Sequence, residues 1–110
     1  MRKLKIVKFL GMFLDFELAL VFGGIMYTVI VYDVNVKRVN HVKKFLRQHL
    51  HWVQNSVFEG EVTRAEYERI KAGLKDIINE EEDSVVIYRL RSQPLRDVIG
   101  TEKNPMENII

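Results

Sequence analysis

A carboxylate at the end of an apolar run is the residue whose type and position best suit chemistry. Residues 26–32 are apolar or favour β structure, and Asp33 follows them directly. A near-continuous apolar run is typical of a strand covered on both faces, and open α/β sheets place their chemistry at the ends of such strands. From its position alone, Asp33 either belongs to a site of this kind or only ends the strand and caps the next helix.

Basic residues dominate the segment that follows this acid. No acidic residue occurs between Asp33 and Glu59. The helix predicted in this segment carries Lys37, Arg38, Lys43, Lys44 and Arg47, together with His41 and His49. Most charged runs are solvated helix faces, but an excess of one sign over so long a stretch also fits a surface that faces a polyanion. Both interpretations remain open from the residues, and the second makes nucleic acid a candidate partner.

The composition excludes or disfavours several other kinds of site. The absence of cysteine excludes disulfides, thiolate zinc sites and cysteine nucleophiles. His49 and His51 lie two residues apart, but a zinc site would need further ligands from elsewhere in the chain. The sequence has neither a glycine-rich phosphate loop nor a Ser/His/Asp set. Trp52 and Tyr32 can stack on bases, although core packing is the usual role of such residues in strands.

The elements that must position these residues follow from periodicity and capping signals. Asn35 is a suitable N-cap for a first helix over Val36–Leu50, whose core stripe is Val39, Val42, Leu46 and Leu50. Residues 51–62 favour two short strands with a turn or bulge at Asn55-Ser56. Thr63 and Glu66 form a capping box that opens a second helix ending near Asn79. Residues 84–90 form the last predicted strand.

This order of elements predicts an α+β fold of the ferredoxin-like βαββαβ type. Its two crossovers place both helices on one face of the sheet. Because residues 27–32 are apolar on both sides, we expect a second copy of the chain to cover the other face, in a homodimer. Residues 91–110 contain Pro94 and Pro105 and have no helical period. They are expected to be a tail, either frayed or added as an edge strand to a neighbour.

Length and composition indicate one ordinary globular domain. The chain has 110 residues, of which 47% are hydrophobic and 29% charged. We expect the domain to span residues 26–90, with Met26 as the natural start and residues 1–25 outside it. That extension has a basic start and an apolar run, but Asp15 and Glu17 interrupt the run, so a membrane-surface helix is only the alternative. The lack of cysteine fits a cytoplasmic location, and no membrane partner is expected.

Three sequence features together resemble a known family. They are Tyr32-Asp33 at the end of the first strand, the helix start from Arg38 to Val42, and the run VQNSVFEG at residues 53–60. In order and spacing, residues 26–90 closely resemble the second core family of CRISPR-associated proteins (Cas two). Residues 1–25 have no counterpart in the family's pattern, and residues 49–52 replace a turn that often contains glycine in the family.

The resemblance implies a homodimer that takes part in acquiring new spacers, bridges two dimers of the integrase subunit and lies along the incoming DNA. Some members are magnesium-dependent nucleases that act on RNA or double-stranded DNA. By correspondence with the family's motif, Asp33 is the expected Mg²⁺ ligand and catalytic residue, and Arg38 matches the family's arginine after that turn. The residues expected to contact nucleic acid are Arg38, Lys43, Lys44 and Arg47, and Tyr32, Ser56 and Phe58 are expected near the site. A free-standing toxin-like ribonuclease of the same fold is the alternative, whereas a ligand sensor would need a glycine-rich loop that the sequence lacks.

Overall fold

The computed structural model describes residues 24–105, and within them six elements follow the predicted order. The strands are β1 (Ile25–Asp33), β2 (His51–Gln54), β3 (Val57–Thr63) and β4 (Ser84–Leu90). The helices are α1 (Val36–Leu46) and α2 (Arg64–Ile77). The predictions for residues 1–23 and 106–110 lie outside the described residues. No helix within residues 24–105 has the length and apolar character needed to cross a membrane.

The four strands form one antiparallel sheet in the order β2-β3-β1-β4. β1 lies between β3 and β4, so its backbone groups are paired on both sides, as its apolar sequence predicts. Ile30 of β1 faces Phe58 of β3 and Ile87 of β4 in the register. This is the strand order of the ferredoxin-like arrangement, and it confirms the predicted α+β fold.

Alternation along β1 sends one set of side chains towards the two helices. Met26, Ile30 and Tyr32 of this set are buried, and they join a core to which both helices contribute. The helix residues in that core are Val42, Leu46, Tyr67, Ile70 and Leu74. Val39, which the helical spacing assigned to the core stripe, is only half-buried.

Both helices begin where the sequence predicts, and both end earlier than predicted. Asn35 caps α1, its side chain accepting a hydrogen bond from the Lys37 N–H at 3.0 Å. At the start of α2, the Thr63 Oγ1 accepts from the Glu66 N–H and a Glu66 carboxylate oxygen accepts from the Thr63 N–H, both at 3.2 Å. α1 ends at Leu46 rather than Leu50, and the N–H groups of Gln48 and His49 then bond to carbonyls three residues back instead of four.

Gly73 permits the close approach of the two helices. A Cβ atom at this position would lie 2.1 Å from Cζ of Phe45, with two further ring atoms within 3 Å. The Phe45 ring of α1 therefore lies directly against the backbone of α2. The cost in helix propensity that glycine imposes is offset by this packing, which no local sequence signal indicates.

The sheet face opposite the helices is partly covered by the segment after β4. Residues 91–104 form no strand within this chain. Arg96 makes an ion pair with Glu59 of β3, whose side chain is 8% exposed. Asn104 Nδ2 donates a hydrogen bond to the Trp52 carbonyl of β2. Val31, Val86 and Tyr88 remain 37–55% exposed.

Candidate metal and nucleic-acid site

Asp33 is the last residue of β1 and lies at the exit of a central strand, as predicted. It is exposed and faces Ser84, the first residue of β4, in the register. Because Asn35 provides the cap of α1, Asp33 is not needed for that role. An exposed carboxylate with no part in capping is available to a ligand.

A second aspartate lies beside this position and was not predicted from the sequence. Asp83 directly precedes β4, and its side chain is fully buried. Its carboxylate accepts hydrogen bonds from the backbone N–H of Asn35 at 2.8 Å and of Asn79 at 2.9 Å. Arg38 donates to the same carboxylate through Nε at 2.6 Å and through Nη2 at 3.1 Å. We call the side chains of Arg38 and Asp83, with these backbone contacts, the Arg38–Asp83 latch.

The latch joins the β1–α1 turn to the start of β4. Asn35, which it holds, is two residues from Asp33, so the backbone beside the candidate ligand is fixed. Hydrogen bonds from the Arg38 guanidinium hold the pKa of Asp83 well below its usual range, and the same contacts raise the pKa of Arg38. Glu82 adds a further ion pair to Arg38. These bonds use Nε and Nη2 of the Arg38 guanidinium, and Nη1 takes no part in them.

Whether Mg²⁺ fits beside Asp33 depends on which side chains there can act as ligands. No group of three or more Asp, Glu or His side chains comes together within residues 24–105. The Asp83 carboxylate is occupied by four hydrogen bonds, which leaves Asp33 as the carboxylate that this turn offers. One or two carboxylates with several waters are sufficient for Mg²⁺. Asp33 therefore fits Mg²⁺ only as a single carboxylate ligand of a largely hydrated ion.

The basic residues of α1 lie on a surface that we call the basic face, defined by Lys37, Lys44 and Arg47. All three are exposed. Lys37 and Lys44 are two helical turns apart, and Arg47 follows one turn later, so the three share one side of the helix. Lys43, one of the predicted contacts, is half-buried at the edge of this face. Lys37 belongs to the predicted basic run but was not among the expected contacts.

Tyr32, Ser56 and Phe58, which were expected near the site, lie in the core or in the adjoining β2–β3 turn. Tyr32 is 3% exposed and its ring centroid is 6.3 Å from that of Phe58, which is fully buried. Ser56 lies in the β2–β3 turn, and its carbonyl accepts from the Tyr32 N–H at 3.1 Å. Burial raises the pKa of the Tyr32 phenol. Tyr32 and Phe58 support the strand that carries Asp33 from within the core, and Ser56 does so from a half-buried turn.

Comparisons with known proteins add to this geometry. The family model described as "CRISPR associated protein Cas2" matches residues 26–98. A "CRISPR-associated endoribonuclease Cas2" of Thermococcus kodakarensis is 73% identical over 85 residues, covering 77% of this chain and all of that protein. The protein of the same name from Pyrococcus furiosus is 72% identical with the same coverage.

Solved structures agree with the sequence comparisons. A crystal structure of a Cas2 protein superposes with a TM-score of 0.69 at 46% identity, covering 79% of this chain and all of that one. The Cas2 structure from Streptococcus pyogenes gives a TM-score of 0.56 at 40% identity, covering 64% of this chain and all of that one.

Proposed function

The chain belongs to the CRISPR-associated Cas2 family, and we propose that it is a subunit of the adaptation complex that acquires new spacers. In this role it binds duplex DNA as a homodimer and bridges two dimers of the integrase subunit. The observation that supports the proposal most is the basic face of α1. Its cations are exposed and no acid lies in the first turn of the helix. Phosphate backbones are bound by such surfaces without regard to sequence.

Exposed apolar side chains on the sheet face opposite the helices support the proposed homodimer. Val31 of β1 and Val86 of β4 are partners in the register and are exposed on that face. Tyr88, two residues after Val86, has 55% of its surface exposed. Apolar side chains that adjoin one another on a sheet face favour association with a second copy. A stable monomer of native fold in sedimentation at micromolar concentration would refute the dimer.

Co-purification with the integrase subunit tests the adaptation role. We expect the chain to elute with the integrase subunit in size-exclusion chromatography, as a complex larger than either protein alone. Separate elution at micromolar concentrations of both proteins would contradict the proposal. It would favour the alternative of a free-standing toxin-like ribonuclease.

A second activity, metal-dependent endonuclease cleavage of RNA or double-stranded DNA, is proposed for Asp33. It is favoured by the exposed carboxylate at the strand end and by relatives whose names include "endoribonuclease". Asp33 would hold Mg²⁺ together with the Asp33 of the second copy, and the latch would keep its turn in place. Bound Mg²⁺ supplies a polarised phosphate and an activated water. The basic face would orient the nucleic-acid backbone.

Cleavage of labelled RNA and duplex DNA by the wild type and Asp33→Asn, with and without Mg²⁺, tests this second activity. The Asn side chain keeps the shape of Asp and removes its charge. We expect metal-dependent cleavage in the wild type and none in the variant. Cleavage that persists in Asp33→Asn would place the activity at other residues or in a contaminant.

A further inference from the structure

A cleft of about 510 Å³ lies where α1 gives way to β2. It is formed by one continuous segment, residues 47–52, which contains the turn after α1 and the first two residues of β2. Its volume falls in the range of small-ligand sites. Arg47 belongs both to this cleft and to the basic face of α1, so the two surfaces are continuous.

Trp52 gives the cleft an aromatic wall. Its side chain is half-buried and packs against the hydrophobic core, and Trp52 is one of the residues that line the cleft. The indole Nε1 donates a hydrogen bond to the Asn55 carbonyl at 3.0 Å, and this bond fixes the orientation of the ring. An aromatic ring that is already oriented loses little conformational freedom when another ring stacks on it. Besides packing against the core, the Trp52 ring can therefore stack on another ring at little cost in conformational entropy.

The position of the cleft at the end of α1 and the amide of Gln48 favour a base over a phosphate. The cleft lies at the C-terminal end of α1, where the helix dipole disfavours an anion. The carbonyl groups of Lys43, Phe45 and Leu46 at that end already accept N–H groups of the following turn. Gln48 lines the cleft and is exposed, so its amide can donate to and accept from the edge of a base. Arg47 can stack on a base or contact its phosphate.

We propose that this cleft binds one unpaired nucleobase, stacked on Trp52, from a nucleic-acid strand whose backbone lies on the basic face. The inference rests on the proposed function, because it requires nucleic acid on α1, and it adds a preference for strands with unpaired nucleotides. Duplex segments would contact the basic face alone. A junction between duplex and single strand would occupy both surfaces.

Trp52 is the single tryptophan of the chain, so its fluorescence reports on this cleft directly. The probes are a blunt duplex, the same duplex with a short single-stranded extension, and the extended duplex with abasic sites in the extension. Stacking on one aromatic side chain tightens binding by about 5- to 150-fold. We expect the extended duplex to bind more tightly than the blunt one by a factor in that range and to quench Trp52. The abasic probe should bind like the blunt duplex and leave the fluorescence unchanged.

Two variants separate this inference from the proposed function. Trp52→Leu should bind the blunt duplex as the wild type does and lose the preference for the extension, whereas Trp52→Phe should retain part of it. Replacing Lys44 and Arg47 with Ala should weaken the binding of every probe. Thermal unfolding shows whether each variant is folded. If Trp52→Leu does not fold, the wild type alone tests the inference, through its binding of the extended duplex with and without abasic sites.

The outcomes distinguish the two claims. If the wild type binds blunt and extended duplexes equally and Trp52 is not quenched, the cleft does not bind a base, while nucleic-acid binding on α1 stands. If the wild type binds no probe, the proposed function fails, and the inference fails with it.

Discussion

The basic face of α1 makes a quantitative prediction about salt. The change is Lys44→Ala with Arg47→Ala, which removes two exposed cations from one side of the helix. Neither side chain is in the buried core, so the fold should be retained. The matched control is Arg69→Ala with Lys75→Ala, which removes one lysine and one arginine that are exposed on α2. Both variants have the same net charge, so a difference between them reports on position alone.

The size of the effect follows from the number of phosphates that the variant can no longer neutralise. Each neutralised phosphate contributes about 0.9 to the slope of log K against log salt concentration. If one copy of α1 contacts the duplex, the slope should become shallower by about 1.8, and if both copies of the dimer do, by about 3.6. Raising the salt from about 50 to 200 mM should then weaken the wild-type complex more than the variant complex. The difference should be about 12-fold if one copy of α1 contacts the duplex and about 150-fold if both do.

Fluorescence anisotropy with a labelled duplex, at several salt concentrations, measures these slopes. The α2 control should keep the wild-type slope. Two results would refute the reasoning: an unchanged slope in the α1 variant, which would mean that its cations are only solvated, or an equal change in both variants, which would mean that binding depends on net charge and not on this face.

Three other changes test the metal site, the helix contact and the latch. At a hundredfold excess over its Kd, Mg²⁺ should stabilise the wild type by about 2.7 kcal/mol and leave Asp33→Asn unaffected in thermal unfolding. Gly73→Ala should lower the free energy of unfolding by about 1 to 3 kcal/mol, and Phe45→Leu should restore part of that stability in denaturant titrations. The pKa of Asp83 lies below its ordinary value of 3.8 in the folded state. The contribution of the Asp83 carboxylate to the free energy of unfolding is therefore present above that pH and is lost as the pH falls below it. In Asp83→Asn, the free energy of unfolding should decrease less steeply with falling pH in the acid range.

Each of these three expectations has a contrary result. Equal stabilisation of wild type and Asp33→Asn by Mg²⁺ would place the ion elsewhere. A Gly73→Ala protein as stable as the wild type would mean that the Phe45 ring moves aside without cost. Parallel acid unfolding curves for the wild type and Asp83→Asn would mean that the latch does not determine the acid stability of the fold.

Local signals in the sequence were sufficient for most of the fold. The capping box of Thr63 and Glu66, the Asn35 cap and the apolar β1 run all depend on residues near one another in the chain. The end of α1 was placed four residues too late because Leu50 continues the helical spacing and is buried, although it follows a turn. Periodicity identifies buried positions and cannot tell whether the backbone that carries them is helical.

Interactions between residues distant in sequence account for what could not be predicted at the site. Arg38 and Asp83 are 45 residues apart, and neither carries a local sign of the ion pair that joins them. From the basic run, Arg38 was therefore expected to contact nucleic acid, while Lys37 was not singled out. The Arg38 prediction remains untested, and the latch adds a structural role for this residue. The acidic segment 80–83 is typical of a solvated turn, yet the carboxylate of Asp83 is buried.

Integration of a labelled duplex into CRISPR repeat DNA by the purified integrase subunit, with and without this chain, tests the central claim most directly. We predict that joined products depend on the chain and decrease with the Lys44/Arg47 variant, while Asp33→Asn supports integration as the wild type does. Equal yields of joined product in the presence and absence of the chain would contradict a role in adaptation.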